Sequence, residues 1–148
     1  MFRVHQFNKV EMFCFTRPGE SWDEHERLLA LEESLLQEVG VPYRVVNVAA
    51  GDLGAPAAKK YDCEAWFPSQ ERYREVTSCS NTTDFQARRL EIRFRGERGT
   101  APVHTLNGTA VTDRWVLALL ENFQRDDGSV EVPQALRELG APAEIRPI

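Results

Sequence analysis

The sequence predicts an α+β fold, an antiparallel β-sheet flanked by helices. Two long segments with helical periodicity lie towards the ends of the chain, and short strand-like segments lie between them. After residue 60 these segments follow one another at the spacing of hairpins, which favours antiparallel pairing with helices packed on one face of the sheet. The 148 residues contain no internal repeat and no low-complexity linker, so we expect one domain.

The composition is that of a soluble globular protein, with 42% hydrophobic and 28% charged residues. A formal net charge of −5 argues against broad, sequence-independent binding of nucleic acid. No apolar run approaches the ~20 residues of a membrane span, and the polar start does not resemble a signal peptide. We therefore expect a cytoplasmic protein with no membrane partner.

Cys14, Cys63 and Cys79 are widely spaced, which predicts reduced thiols and no zinc site.

Residues 10–15 are predicted to form the first strand, with Glu11 on the same face as Phe13 and Phe15. A carboxylate in that position lies either on a solvated sheet surface or in a pocket that pairs it with a cationic group of a ligand. Because no earlier strand precedes this one, its outer edge would need protection. We therefore expect the chain to be the C-terminal part of something longer.

A helix is predicted to begin at Ser21, which would form a capping box with Glu24, and to end at Gly40. Leucines recur along it at helical spacing, which predicts one apolar face. From there to the middle of the chain we expect a strand at 43–48, a loop at 49–56, a helical turn at 57–60, and strands at 61–67 and 71–80.

The second half continues with shorter elements. The triplet Asn107-Gly108-Thr109 is predicted to join a strand to a helix, a junction that exposes backbone N–H groups to an anion, with Arg114 about 7.5 Å of helix rise further on. The same triplet is also an ordinary helix cap. We expect a short helix ending at 89, strands at 90–95 and 103–106, a turn at 96–99, an amphipathic helix at 109–124, and a tail with a strand-like segment at 130–133 and a last helical turn.

Two residues of the strand predicted at 71–80 are candidate metal ligands. Glu75 and Ser78 supply hard oxygen atoms, which Mg²⁺ takes when it also holds a nucleotide phosphate. An uninterrupted strand would point these side chains to opposite faces, so both reach one ion only if the strand twists or bulges. The alternative is an ordinary polar strand face.

Three segments, taken in order, resemble the seryl-tRNA synthetases, a family of class II aminoacyl-tRNA synthetases. They are RVHQFNKVEMF at 3–13, REVTSCSNTTDFQARR at 74–89, and HTLNGT at 104–109 with Arg114 after it. The resemblance covers essentially the whole chain, from the motif 2 loop through motif 3 to the C-terminus. It implies that residues 1–148 are the C-terminal portion of a class II catalytic domain, incomplete at the N-terminus and without a tRNA-binding arm.

The activity that the resemblance implies is that of a serine–tRNA ligase. Such an enzyme uses ATP with Mg²⁺ to activate L-serine as seryl-adenylate and then transfers the seryl group to serine tRNA. The protein positions the reactants and neutralises phosphate charge, with no covalent protein intermediate. The full-length family also implies a homodimer.

The same resemblance implies roles for individual residues. Glu11, beside Phe13 and Phe15, would form a dehydrated binding site for the ammonium or hydroxyl group of serine. Phe7 and Arg114 would lie on opposite faces of the adenine ring. The implied sets are Glu11, Asn107 and Thr109 for serine; Arg3 (near the γ-phosphate), Val4, Phe7, Glu75, Val76, Thr77, Ser78 and Arg114 for ATP; and Glu75 and Ser78 for Mg²⁺.

The sequence also departs from the family pattern. The 148 residues do not include the helical arm that grips tRNA, motif 1 with its dimer interface, or the first strand of motif 2. Motif 3 is one residue tighter than in many members, which leaves the aim of Arg114 open. Two alternatives therefore stand beside the ligase: a non-catalytic ATP- or serine-binding paralogue, and a ligase that loads an amino acid onto a carrier protein. Relatives of the second kind depend on zinc, for which the sequence shows no ligand cluster.

We predict that the 148-residue chain alone does not catalyse serine-dependent exchange of pyrophosphate into ATP. The arginine that holds the α-phosphate in the family belongs to the first strand of motif 2. By analogy with an oxyanion-hole donor, losing one such cation lowers a rate on the order of 10²–10³-fold. The measurement is incorporation of labelled pyrophosphate into ATP with L-serine present, and incorporation above the serine-free background would contradict the prediction.

Overall fold

A computed structural model describes residues 2–97 and 99–147 of the chain. Runs of strands are separated by helices along the chain. In chain order they are β1 (Lys9–Thr16), α1 (Ser21–Val39), β2 (Tyr43–Asn47), β3 (Lys59–Phe67), β4 (Arg72–Asn81), α2 (Phe85–Leu90), β5 (Arg93–Gly96), β6 (Gly99–Pro102), β7 (His104–Thr112), α3 (Asp113–Asn122), β8 (Val130–Glu131), α4 (Gln134–Glu138) and β9 (Glu144–Ile145).

Five strands form one sheet in the order β1-β7-β4-β3-β2, and every neighbouring pair in it is antiparallel. The predicted α+β fold with an antiparallel sheet is therefore confirmed. Because β7 and β4 lie side by side in the middle, residues far apart in the sequence become neighbours at the centre of the sheet. β5 with β6, and β8 with β9, form two small ribbons.

Helix α1 covers one face of the sheet with its apolar side. Leu28 and Leu36 are 1% exposed and belong to one core cluster with Cys63 and Cys79 of the sheet. Removing a leucine side chain of this kind from water contributes roughly 1.5–3 kcal/mol. Trp115 of α3 joins the same cluster. The side chains that alternate with these along the strands stay partly exposed on the other face, where a site can form.

The predicted capping box of α1 is wrong, although its C-terminal end is confirmed. Ser21 is the first helical residue and not the cap. Its buried hydroxyl is hydrogen-bonded to the Pro18 carbonyl at 3.3 Å and to His104 Nδ1 at 2.8 Å, which ties the helix to β7. Gly40 adopts a left-handed φ of 71°, and its N–H donates to the Gln37 carbonyl at 3.1 Å.

The predicted helix at 109–124 begins too early. β7 continues through the triplet 107–109 to Thr112, and α3 begins only at Asp113. β-branched residues near the end of β7 favour extended backbone, and pairing with neighbouring strands engages the triplet as part of the sheet. The helix cap is Thr112, whose hydroxyl accepts the Arg114 N–H at 3.3 Å.

Two smaller element predictions also fail. Residues 59 and 60, expected in a helical turn, already pair with β4 as the start of β3. The strand expected at 90–95 starts at Arg93, because α2 extends to Leu90 and Glu91 turns the chain with φ 55°. The predicted turn at 96–99 includes Arg98, which lies outside the described residues. Within residues 2–97 and 99–147, no helix is both long and apolar enough to span a membrane.

Candidate active site

The candidate site lies where the two central strands separate. β4 and β7 pair from Asn81 to Cys79, where Cys79 faces Gly108. Past that point, the described parts of β4 and β7 form no further strand pairs, and side chains bridge them instead. The Thr77 hydroxyl, for example, donates to the Thr109 carbonyl. The backbones therefore diverge and leave a gap on the open face of the sheet.

A bulge in each central strand lies beside this gap. The extra residue is Val76 in β4, opposite β3, and Ala110 in β7, opposite β1. Residues paired across strands share a face, and the partners of Ser78 and Glu75 are positions 62 and 64 of β3. The bulge at Val76 therefore brings Glu75 and Ser78 to the same face of the strand. Both side chains need to share a face if they are to bind one ion.

A cavity of about 340 Å³ occupies the gap. Every residue predicted to bind ATP lines it, and so does Thr109. Glu11 and Asn107 are not part of its wall. Glu11 accepts hydrogen bonds from both Thr109 and Asn107, which places the two residues next to the cavity. The complete wall consists of Phe2, Arg3, Val4, Phe7, Lys9, Glu75, Val76, Thr77, Ser78, Thr109, Thr112, Asp113, Arg114 and Leu117.

Glu11 is held by polar partners next to the cavity. Asn107 Nδ2 donates to its Oε1 at 2.9 Å, and the Thr109 hydroxyl donates to its Oε2 at 3.2 Å. Lys9 Nζ lies 2.7 Å from the same Oε2, and the Glu11 side chain is only 16% exposed. Phe13 and Phe15 are 69% and 61% exposed, so the dehydrated site expected beside these rings is formed instead by the polar neighbours of Glu11. Glu11 therefore lies in a polar pocket that already holds one cation.

Arg114 reaches from α3 to β4 across the cavity. Its Nη1 donates to the Glu75 carbonyl at 3.0 Å and lies 3.4 Å from the Glu75 carboxylate. The guanidinium lies over the Phe2 ring, 4.6 Å from its centroid, and Arg74 lies 4.1 Å from the same centroid. The tighter motif 3 thus still directs Arg114 to the cavity, whose wall also includes Phe7. Sequence reasoning missed Phe2, an aromatic residue directly before a polar, cationic run.

Glu75 lies between two cationic side chains. Its carboxylate is 3.4 Å from Arg114 and 3.9 Å from Lys60, which is also 2.7 Å from Asp62. Burial raises the pKa of Asp62, and Lys60 opposes that change. Glu75 and Ser78 offer carboxylate and hydroxyl oxygens, a donor set that fits Mg²⁺ held jointly with phosphates. In the described part of the chain, no group of three or more His, Cys, Asp or Glu residues could hold a metal by itself.

A further carboxyl group, that of Glu32, lies beneath the site on the face covered by α1. Glu32 is fully buried, and this burial raises the pKa of its carboxyl to about 8. The Cys63 thiol opposes the rise, whereas the charge of Glu11 adds to it. A Cβ atom on Gly108 would lie 3.0 Å from Glu32 Oε1, so the glycine at position 108 leaves the space that the Glu32 carboxyl occupies. Sequence reasoning missed Glu32, although a carboxylate within a leucine stripe was a visible signal.

Comparison with known proteins identifies a family. Residues 1–123 match the family described as tRNA synthetase class II core domain (G, H, P, S and T). The chain is 60% identical over 147 residues to the serine–tRNA ligase of Thermobifida fusca, covering 99% of this chain and 35% of that protein. It is 58% identical over 147 residues to the serine–tRNA ligase of Bifidobacterium longum, covering 98% and 34%. The chain therefore spans about a third of the length of the curated relatives that it matches.

Solved structures agree with this result. The seryl-tRNA synthetase of Pyrococcus horikoshii, complexed with ATP, superposes with a TM-score of 0.96 at 53% identity, covering 99% of this chain and 34% of that one. The cytoplasmic serine–tRNA ligase of Naegleria fowleri, in complex with AMP, superposes with a TM-score of 0.90 at 42% identity, covering 98% and 35%. Both neighbours were solved with an adenine nucleotide bound.

The buried carboxyl predicts an unusual pH dependence of stability. Because the pKa of Glu32 is about 8 in the folded chain and 4.5 ordinarily, the folded state binds this proton more tightly than the unfolded state. The stability that it contributes is complete below the ordinary pKa and is lost as pH rises through about 8. We expect Glu32→Gln to remove a loss on the order of 5 kcal/mol over this range.

The measurement is the free energy of unfolding by urea at several pH values for the wild-type chain and Glu32→Gln. Burial lowers the pKa of His25, which changes stability in the opposite direction, so the difference between the two proteins is the relevant quantity. Parallel pH curves for the two proteins would contradict the prediction.

Proposed function

The chain belongs to the family of class II tRNA synthetase core domains, and on that basis we propose that it is the serine- and ATP-binding part of a serine–tRNA ligase. One observation carries the proposal. A carboxylate with amide and hydroxyl partners, Glu11 with Asn107 and Thr109, adjoins a cavity that Arg114 and Glu75 line. An adenylated hydroxy-amino acid offers a cationic amine at one end and an aromatic base with phosphate at the other.

The serine end would bind at Glu11. In the free chain, Lys9 Nζ lies 2.7 Å from Glu11 Oε2, which supports a carboxylate that accepts a cation at this point. The ammonium group of serine would replace Lys9 and form a charge-assisted hydrogen bond. The Thr109 hydroxyl, which now donates to Glu11 at 3.2 Å, would turn to the serine side chain, with Asn107 holding the carboxylate in place.

The nucleotide end would bind between the N-terminal segment and α3. Phe7 and the planar guanidinium of Arg114, which both line this cavity, would lie on opposite faces of the adenine ring. Arg3 would lie near the γ-phosphate, and the Val4 backbone would contact the nucleotide. The peptide groups of the bulged segment 75–78, with Val76 and Thr77 buried, line the same wall.

Mg²⁺ would bind with the ATP phosphates through Glu75 and Ser78. The ion, when bound, neutralises phosphate charge and orients the phosphates. Glu75 would then exchange part of its pairing with Arg114 and Lys60 for the ion, and those cations would be freed to face the nucleotide. The partners of Glu75 would therefore change when ATP and the ion bind.

The contribution of this chain to the reaction would be positioning. Glu11 and Thr109 orient serine so that its carboxylate can reach the α-phosphorus, and Arg114 with Phe7 fixes the nucleotide. No described side chain needs to form a covalent bond with either substrate. We further propose that the enzyme acts in the cytoplasm on serine tRNA as a homodimer, as the likeness to serine–tRNA ligases suggests.

Binding of a sulfamoyl analogue of seryl-adenylate and of AMP, measured by calorimetry, tests this proposal. Glu11→Gln should weaken binding of the analogue about 10- to 100-fold, because one charge-assisted hydrogen bond is lost, and leave AMP binding unchanged. Arg114→Ala should weaken binding of both ligands. Glu38→Gln, an exposed substitution on α1, is the matched control and should change neither.

Two results would contradict the proposal. The first is a wild-type chain that binds neither ligand. The second is a Glu11→Gln variant that binds the analogue as tightly as the wild type does.

A further inference from the structure

Glu32 touches the strand that carries Thr109, from the side opposite the site. It projects from α1 into the core, fully buried, and its Oε1 faces Gly108 of β7. Among residues 2–97 and 99–147, Oε1 has no hydrogen-bond donor at full bonding geometry, and the Cys63 thiol lies 3.8 Å from Oε2. The Thr109 N–H and the Thr77 hydroxyl lie close enough to stabilise the carboxylate electrostatically.

The chain makes room for this carboxyl group at one position of β7. A Cβ atom at Gly108 would lie 3.0 Å from Glu32 Oε1 and 3.1 Å from the Met12 side chain, closer than packing allows without movement. Gly108 also faces Cys79 at the last pair before β4 and β7 diverge. The buried carboxyl therefore lies against the backbone at the point where the strands begin to separate.

We propose that Glu32 is a positioning residue for serine binding, holding the Gly108–Thr109 backbone from the core side so that the Thr109 hydroxyl meets Glu11. This inference rests on the proposed function for its substrate and on the described contacts for its geometry. Thr109 is 3% exposed, pairs with Glu11 across β1 and β7, and accepts the Thr77 hydroxyl at its carbonyl. The strand pair with Glu11 and the hydrogen bond from Thr77 both restrain the Thr109 backbone.

The protonation state of Glu32 follows from the groups that face it. β1 contributes Glu11, β3 contributes Cys63 and β4 contributes Cys79, while His25 is buried on the same helix. The negative charge of Glu11 and the apolar surroundings favour the neutral acid. The Thr109 N–H favours the ionised form and the charge of Glu11 opposes it, so ionisation of Glu32 would change its contact with the Gly108–Thr109 backbone.

Nuclear magnetic resonance of the free chain tests the coupling without any ligand. In the wild type, the Thr109 amide and the Glu11 carboxyl carbon should shift together as pH rises through about 8, the pKa of Glu32. This transition should be lost in Glu32→Gln, which keeps the shape of the side chain and cannot ionise. Glu32→Ala should displace both signals at every pH, whereas Glu33→Ala, on the next residue, should leave them in place. Unchanged Thr109 and Glu11 signals in both Glu32 variants would overturn the proposal.

A second measurement connects the coupling to binding. Calorimetry should show that Glu32→Ala weakens binding of the sulfamoyl analogue about tenfold, as expected for one misplaced hydrogen bond, while AMP binding stays within about twofold. Glu32→Gln should restore the wild-type affinity at neutral pH. Equal weakening of both ligands would indicate a general structural effect and overturn the positioning role. If the wild-type chain binds neither ligand, the proposed function fails, and the resonance data alone decide whether Glu32 positions Thr109.

Discussion

The site exists because the two central strands of the sheet stop pairing with each other partway along. β4 and β7 are joined by backbone pairs up to Cys79 and Gly108, and beyond that point they are joined by side chains. A bulge in each strand, at Val76 and at Ala110, accompanies the change. Bulges re-aim side chains and interrupt pairing, so an otherwise continuous sheet acquires a cavity at its centre. The candidate residues of β4 and β7 lie beside this divergence, and those of the N-terminal segment and α3 line the same cavity.

The carboxylates at the cavity already have cationic partners before any ligand binds. Glu11, beside the cavity, pairs with Lys9 in the free chain, and Glu75, in the cavity wall, pairs with Arg114 and Lys60. A ligand with a cationic amine and a metal-bound phosphate would replace these cations at the two carboxylates. Binding would then exchange existing ion pairs for new ones, which avoids leaving a buried charge without a partner.

Much of this arrangement was predictable from the sequence, and three failures at the site share one cause. The antiparallel sheet, the helix ending at Gly40 and nine of the fourteen residues of the cavity wall were predicted from local patterns and from the three family-like segments. The start of α3 was misplaced because Asn107-Gly108-Thr109 has the local pattern of a cap, while pairing with strands distant in sequence decides its structure. Phe2 and Glu32 were missed for the same reason. Their importance comes from Arg114 and Gly108, each more than seventy positions away in the chain.

The most direct test of the account is an experimental structure of this chain bound to the sulfamoyl analogue of seryl-adenylate. The account predicts the seryl ammonium within hydrogen-bond distance of Glu11, with Lys9 displaced, and the adenine ring between Phe7 and Arg114. An analogue bound elsewhere on the chain, with the gap between β4 and β7 left empty, would contradict it.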